Sequence, residues 1–407
     1  MLNIQFLFAK KAKKSYTVVN KLNKQENKMK KYKLQATASF GLEAVVKREI
    51  ENLGFENISV SDGYVEFTSD LRGIAKANLW LRSADKVLMI IGKFQAVTFE
   101  ELFDNTYALP WDELIPKDAN FIITGKSFKS TLSSVPACQS IVEKAIIKKL
   151  QTKYDISHFP KTGAEYTIQA ALLKNTVTLT LNTSGPSLHK RGYRHGQVIA
   201  PLKETMAAGL IQLSYWKKDR IFLDPCCGSG TLPIEAALIG RNIAPGLSRK
   251  FAAELWDFIP KEVWQEERKA AYSAIDYDAE LTIYGSDINA HAVEIAKQNA
   301  ENAGVDDCIV FRQIPFNKLK LPGDYGVCVS NPPYAERMGN LDDVERLYRD
   351  MGNLFRSNKT WSAYFITSHE GFEKLYGRKA DKKRKLFNGN VKTDYYQYFG
   401  ERPPKKI

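Results

Sequence analysis

From Lys33 onward the apolar positions switch between a period of two and a period near 3.6, the marks of strand and helix respectively. Lys33 to Ala38, Tyr64 to Phe67 and Val87 to Phe94 read as strands. Between the first two, Gly41 to Leu53 places Leu42, Val45, Val46, Ile50 and Leu53 on one face of a helix that Gly54 ends. Leu71 to Leu81 gives a second helix, and the alternation suits a small ferredoxin-like α+β unit. A helix over Phe99 to Leu109 and a strand over Asn120 to Gly125 follow. Ser127 to Pro136 is polar and irregular, Ala137 to Leu150 is helical, and Tyr166 to Leu173 with Thr176 to Asn182 forms a hairpin about Lys174-Asn175. The C-terminal half predicts an α/β alternation. Its strands are Ile221 to Leu223, Thr282 to Gly285, Ile309 to Gln313, Tyr325 to Val329 and Ser362 to Thr367. Helices run over Pro201 to Trp216, Leu232 to Ile239, Asn289 to Asn302 and Asp342 to Arg356. A closing hairpin, Lys385 to Asn388 and Val391 to Phe399, turns about Gly389.

Composition bounds this picture. A chain of 407 residues supports two or three domains, and no apolar run is long enough to span a membrane. The net charge is +13, but ten lysines against the single acid Glu26 lie before residue 34, so the folded body is only mildly basic. Residues 1–28 are expected to be a disordered basic extension, because their composition cannot build a core. The five cysteines, Cys138, Cys226, Cys227, Cys308 and Cys328, show no metal-ligand spacing, and their odd number in a large chain fits a reducing, cytoplasmic compartment. No metal is expected.

The chemistry concentrates in two stretches that must meet in space. Ile221-Phe-Leu-Asp-Pro-Cys-Cys-Gly-Ser-Gly-Thr231 is a buried strand that breaks into a glycine turn and then a helix, a nucleotide-type site at the carboxyl end of a parallel strand. Val327-Cys-Val-Ser-Asn-Pro-Pro-Tyr334 is a second buried strand with a rigid end. Asn331 brings an amide carbonyl acceptor, Pro332 and Pro333 keep their carbonyls free as acceptors, and Tyr334 brings a flat ring. Two in-plane acceptors and a stacking face are what a planar exocyclic amine requires. Asp287, at the end of the second strand of this half, stands where a ribose diol is gripped. Lys382-Lys-Arg-Lys385 is a dense basic run, read first as a charge guard on an edge strand and alternatively as a track for RNA phosphates. Arg191 and Arg194 crowd a short segment before the C-terminal half and suit either a domain latch or a substrate contact.

Asp-Pro-x-Cys-Gly-Ser-Gly-Thr followed by Ser-Asn-Pro-Pro-Tyr resembles the class I S-adenosylmethionine (SAM)-dependent amino-methyltransferases. Asn-Pro-Pro-Tyr alone is shared by enzymes acting on DNA adenine, RNA guanine and protein glutamine. Leu188-His-Lys-Arg-Gly-Tyr-Arg194, Ala200-Pro-Leu-Lys-Glu204 and Asn331-Pro-Pro-Tyr-Ala-Glu-Arg337 bring the chain closer to the THUMP-domain 23S rRNA guanine-N2 methyltransferases, from about Lys31 to near Phe399. The resemblance implies a Rossmann-like class I methyltransferase domain over 186–407, preceded by a ferredoxin-like unit over 29–71 and a THUMP RNA-binding domain over 72–185. It implies SAM as donor, held by Asp224, Pro225, Cys227, Gly228, Ser229, Gly230, Thr231 and Asp287, with Ile288, Phe316, Asn317 and Asn331 beside it. Asn331, Pro332, Pro333 and Tyr334 become the catalytic loop, and Lys126, Lys129, Ser130, Arg191 and Arg194 the RNA contacts. An Asp that the family usually places after the third strand, to hold the adenine amine, is Pro315 here. Arg241 to Ala274 reads as a helical insert over the cofactor, with its Trp256 and Trp264 expected to pack in a core. DNA adenine or protein glutamine as acceptor, and a non-catalytic RNA-binding assembly factor, are the competing readings. The THUMP-like half argues against the first two, and the intact glycine turn and Asn-Pro-Pro-Tyr argue against the third.

Overall fold

The computed structural model describes residues 30–156, 158–194, 202–334, 341–389 and 391–404, and the basic extension lies outside them. Seven strands of the N-terminal half are β1 (Tyr32–Ala38), β2 (Glu56–Ser61), β3 (Tyr64–Ser69), β4 (Ala84–Gln95), β5 (Asn120–Phe128), β6 (Glu165–Leu173) and β7 (Thr176–Asn182). They form one sheet in the order β2-β3-β1-β4-β7-β6-β5, so the ferredoxin-like and THUMP-like units are joined strand to strand through β4 and β7. Helices α1 (Glu43–Asn52), α2 (Leu71–Trp80), α3 (Phe99–Tyr107) and α4 (Val135–Tyr154) belong to this half. Inward residues such as Leu34, Val65, Phe67, Ile168 and Leu181 alternate with outward polar ones, and this period of two made most of these strands predictable. β2 was not: its Glu-Asn-Ile-Ser-Val-Ser is exposed at nearly every position on the sheet edge and offers only Ile58 and Val60 as a short apolar signal.

The C-terminal half contains β8 (Phe222–Asp224), β9 (Ile283–Asp287), β10 (Ile309–Gln313), β11 (Val327–Ser330), β12 (Ser362–Thr367), β13 (Lys382–Asn388) and β14 (Val391–Tyr398). Their order is β10-β9-β8-β11-β12-β14-β13, parallel from β10 to β12 and antiparallel for the closing hairpin. The helices are α5 (Glu204–Leu213), α6 (Thr231–Gly240), α7 (Lys261–Ser273), α8 (Ala290–Ala303), α9 (Leu341–Ser357) and α10 (Phe372–Tyr376). Strands β8, β11 and β12 are buried at every residue, as expected of a parallel sheet covered on both faces.

The insert between α6 and β9 corrects one expectation. It does not lie over the cofactor end of the sheet; it packs into the core of the N-terminal half. Trp256 and Trp264 are 1% and 3% exposed, Trp256 stacks on Tyr166 of β6 at 4.9 Å, and Arg72 of α2 pairs with Glu267 of α7. The apolar face of α7 is thus spent on joining the halves. Glu49 of α1 adds a polar latch, accepting the backbone N–H groups of Arg82 and Ser83 and an amide N–H from Gln212 of α5.

Candidate active site

Strands β8 and β11 are parallel neighbours, with Val327 opposite Phe222 and Cys328 opposite Leu223. Their C-terminal ends therefore deliver the two motifs side by side, and Ser330 Oγ donates to Asp224 Oδ1 at 2.6 Å. Asp224 Oδ1 also accepts the Cys226 N–H at 3.2 Å. Burial pushes the Asp224 carboxyl up to about 7, against the pull of these two bonds. Burial likewise raises the thiols of Cys226, Cys227 and Cys328 well above their ordinary range, which leaves no reactive thiolate here.

The turn after Asp224 is built from backbone. Cys227 N–H donates to Ser286 O, Gly230 N–H to Cys227 O, and Gly228 N–H to Asp287 Oδ2. Gly228 and Gly230 have φ of +51° and +81°, the left-handed region that favours glycine. A Cβ on Gly230 would stand 3.0 Å from both Ala296 of α8 and Phe311 of β10, whereas one on Gly228 would meet nothing within 4 Å. Gly230 thus seats the turn and Gly228 faces open space. Asp287 Oδ1 accepts the Asn289 N–H, and Asn289, not Asp287, caps α8. Ile288 beside it is 67% exposed, an apolar side chain with no cover. Pro315 starts a short 3-10 turn that carries Phe316, half-buried, and Asn317, exposed. Asn299 of α8, which the sequence did not single out, donates to Ser229 O at 3.0 Å.

The second loop is held by phenols. Tyr334 is 2% exposed, and its hydroxyl donates to Asn331 Oδ1 at 2.6 Å. Tyr348 of α9 donates to Pro333 O at 2.8 Å and bonds Thr367 Oγ1 at 2.9 Å. The expected arrangement had an open Tyr334 face and an unengaged Asn331 acceptor. In this conformation the ring is covered, and the acceptor is taken by the residue three places on. Ala335 to Arg337 lie outside the described residues.

Arg191 is corrected as an RNA contact. It is 3% exposed, donates to Leu188 O and Arg82 O, and faces Glu235 of α6 at 3.4 Å, so it latches the two halves internally. Arg194 is also turned inward: it donates to Leu202 O and to Thr231 Oγ1, both at 2.9 Å, and pairs with Glu204 at 3.4 Å. Its guanidinium therefore belongs to the first turn of α6, beside the glycine turn, and not to an outer surface. Lys126 on β5 and Lys129 after it are exposed. Ser130 accepts the Asn175 N–H and donates to Phe128 O, pinning the loop to the β6–β7 turn. Among the described residues no cluster of His, Cys, Asp or Glu is placed to hold a metal ion, and no helix is long and apolar enough to cross a membrane.

A parallel sheet ending in an antiparallel hairpin, with a glycine turn on its first strand and Asn-Pro-Pro-Tyr on its fourth, defines a class I methyltransferase fold. Comparison with known proteins adds the particular family: the chain belongs to the RMKL-like methyltransferases, whose methyltransferase domain matches residues 191–397. The RlmL ferredoxin-like domain matches 33–88 and the THUMP domain 96–182. The "Putative RNA methyltransferase YpsC" of Bacillus subtilis (strain 168) is 51% identical, over 93% of this chain and 99% of its own. "Ribosomal RNA large subunit methyltransferase K/L" of Shewanella baltica (strain OS195) is 34% identical over 89% of this chain and 52% of its own. The chain therefore spans about half the length of such K/L proteins. Among solved structures, a "predicted N6-adenine-specific DNA methylase" from Listeria monocytogenes str. 4b F2365 is 51% identical, with TM-score 0.88 over 93% of this chain and 98% of that one. SMU.472, "a putative methyltransferase complexed with SAH", is 45% identical, with TM-score 0.87 over 92% and 100%.

Proposed function

We propose that this protein is an RNA methyltransferase of the K/L type that methylates the exocyclic N2 of a guanine in large-subunit rRNA, with SAM as donor. The observation that carries the reading is the Ser330–Asp224 bond, which holds the Asn-Pro-Pro-Tyr loop against the glycine turn in a chain that also bears a THUMP domain. The name of the K/L relatives supports large-subunit rRNA as the substrate class, and the SAH complex of SMU.472 supports the donor.

The residues present fit the donor. Gly228 faces open space, Asp287 carries a carboxylate at the edge of that space, and Ile288 offers an uncovered apolar side chain next to it. Asp224, Pro225, Cys227, Gly228, Ser229, Gly230 and Thr231 form one wall; Asp287 would accept from the ribose hydroxyls; Ile288, Phe316 and Asn317 would flank the adenine in place of the missing Asp at Pro315. When bound, SAM supplies an electrophilic methyl group on a sulfonium.

Work on the acceptor falls to the second loop. The lone pair of an exocyclic amine is delocalised into its ring, so the amine is a poor nucleophile. Asn331 Oδ1 and the Pro332 carbonyl are the two acceptors that would hold its hydrogens and aim the lone pair. Tyr334 must give up its bond to Asn331 for that to happen, and its ring then stacks on the flipped base. Proximity and orientation dominate this step, and the amine sheds its proton once methylated.

The Listeria structure favours a second reading with the same loop chemistry, transfer to the N6 amine of adenine in DNA. Incubating the purified protein and labelled SAM with protein-free large-subunit rRNA or duplex DNA, followed by nucleoside mass spectrometry, separates the two. N2-methylguanosine in the RNA is expected. N6-methyladenine in the DNA with unlabelled RNA overturns the RNA reading.

A further inference from the structure

We infer that the edge hairpin β13–β14, together with the Phe40 loop of the N-terminal half, forms a surface for the RNA strand that flanks the target base. The inference rests on the RNA reading above. The basic run Lys382 to Arg384 continues into a defined face. Cross-strand pairing sets Phe387 opposite Lys392 and Lys385 opposite Asp394, so these four side chains share one side of the hairpin. Phe40 packs edge-on to Phe387 at 5.7 Å, and Lys385 Nζ lies 5.5 Å from the same ring. Phe40 is 48% exposed, an aromatic side chain left largely in water at a junction of the two halves.

The charges on this face are uncompensated where it matters. Lys383 is neutralised by Glu373 and Asp394, each at 3.8 Å. Among the described residues Lys385 and Lys392 are exposed and carry no ion pair. A guard against edge pairing explains lysines anywhere along β13, but it explains neither the aromatic pair of an exposed Phe40 and a half-buried Phe387 nor its position. Two lysines beside two rings suit the phosphates and an unstacked base of a single strand.

Position supplies the rest. Asp394 pairs with Thr367, the last residue of β12. Thr367 Oγ1 bonds the Tyr348 hydroxyl, which holds Pro333 O of the acceptor loop. The strip thus lies at the catalytic end of the sheet, two hydrogen bonds and one strand pair away from Asn-Pro-Pro-Tyr. The Phe40 loop is fixed to it: Arg384 donates to Gly41 O at 2.8 Å, and a Cβ on Gly41, whose φ is +90°, would stand 2.6 Å from Lys385 O. Both halves of the chain therefore contribute to one face.

The test compares wild type with K385E/K392E and with Phe40→Ala, all full-length. Calorimetric SAH binding serves as the control for folding. The charge-reversal variant is expected to raise the KM for RNA on the order of ten-fold near 0.1 M salt and to flatten the salt dependence of RNA affinity by about two phosphates' worth of counterion release. Phe40→Ala is expected to weaken RNA binding several-fold, roughly one stacked base, at an unchanged salt slope. SAH affinity and the single-turnover rate at saturating RNA stay at wild-type values in both. Wild-type transfer to RNA with an unchanged KM and slope in the charge-reversal variant overturns the surface, as does wild-type affinity in Phe40→Ala. Wild-type transfer to DNA alone overturns the RNA reading instead.

Discussion

The loops that leave β8 and β11 emerge side by side from one sheet, yet different parts of the chain hold them. The turn after Asp224 is fixed by backbone bonds, by a glycine with a left-handed φ packed on α8 and β10, and by a buried carboxyl. The loop after Ser330 is fixed by the hydroxyls of Tyr334 and Tyr348, groups that a rotamer change releases. A site held by backbone is ready for its ligand. One held by a phenol on its own functional acceptor must rearrange. This difference fits the division of labour proposed above, in which the first loop would bind the donor and the second would act on the acceptor as it reacts.

The largest expected effect comes from breaking the second loop. Asn331→Ala should lower the transfer rate on the order of 100-fold or more, as when one preorganised polar group is lost, with SAH affinity near wild type. Next comes the carboxyl at the root of the first loop. Burial raises the Asp224 carboxyl from its ordinary value to about 7, so the folded chain holds this proton while the unfolded chain has released it. The contribution is complete below the unfolded pKa and is lost as pH rises through 7. Asp224→Asn cannot titrate, so its stability relative to wild type should rise by about 2–3 kcal/mol between pH 5 and pH 8. Denaturant melts of both proteins at the two pH values check this; an unchanged difference would mean an ordinary Asp224.

Asp287→Ala should weaken SAH binding by about 1–3 kcal/mol, the range for hydrogen bonds to a charged group, with the saturated rate little changed. Isothermal titration reads it. The smallest effects sharpen the comparison. Tyr334→Phe keeps the ring and frees Asn331 Oδ1, so its rate should stay within a few-fold of wild type, while Tyr334→Ala loses the stacking face and should fall steeply. Lys129→Ala, on the exposed THUMP loop, should raise the RNA requirement about two- to three-fold and leave the saturated rate alone, one phosphate contact in many. Steady-state titration of RNA checks it.

Both motifs were readable in the sequence because their chemistry is local. Glycines at fixed offsets and a proline pair say what the backbone does whatever packs around them. The parallel strands were readable because burial on both faces makes them continuously apolar. Partners across the fold were not. Arg191 and Arg194 suited a domain latch as well as a substrate contact in one dimension, and only the placement of Glu235, Thr231 and Glu204 decides for the inward one. Trp256 and Trp264 predicted a core without saying which half owns it. The Tyr334 bond to Asn331 joins residues three apart in an irregular loop, where no periodicity announces a contact. Tyr348 reads as one more core ring on α9 until Pro333 O is found beside it.

The most direct test of the division of labour pairs Asn331→Ala with Asp287→Ala in one experiment, measuring SAH affinity and the single-turnover rate on protein-free large-subunit rRNA with RNA and SAM saturating. The account predicts a crossed result: Asn331→Ala binds SAH as wild type does and transfers about 100-fold more slowly, while Asp287→Ala binds weakly and transfers at close to the wild-type rate. Transfer by Asn331→Ala at the wild-type rate would contradict it, and the acceptor base would then have to be held elsewhere than at the Asn-Pro-Pro-Tyr loop.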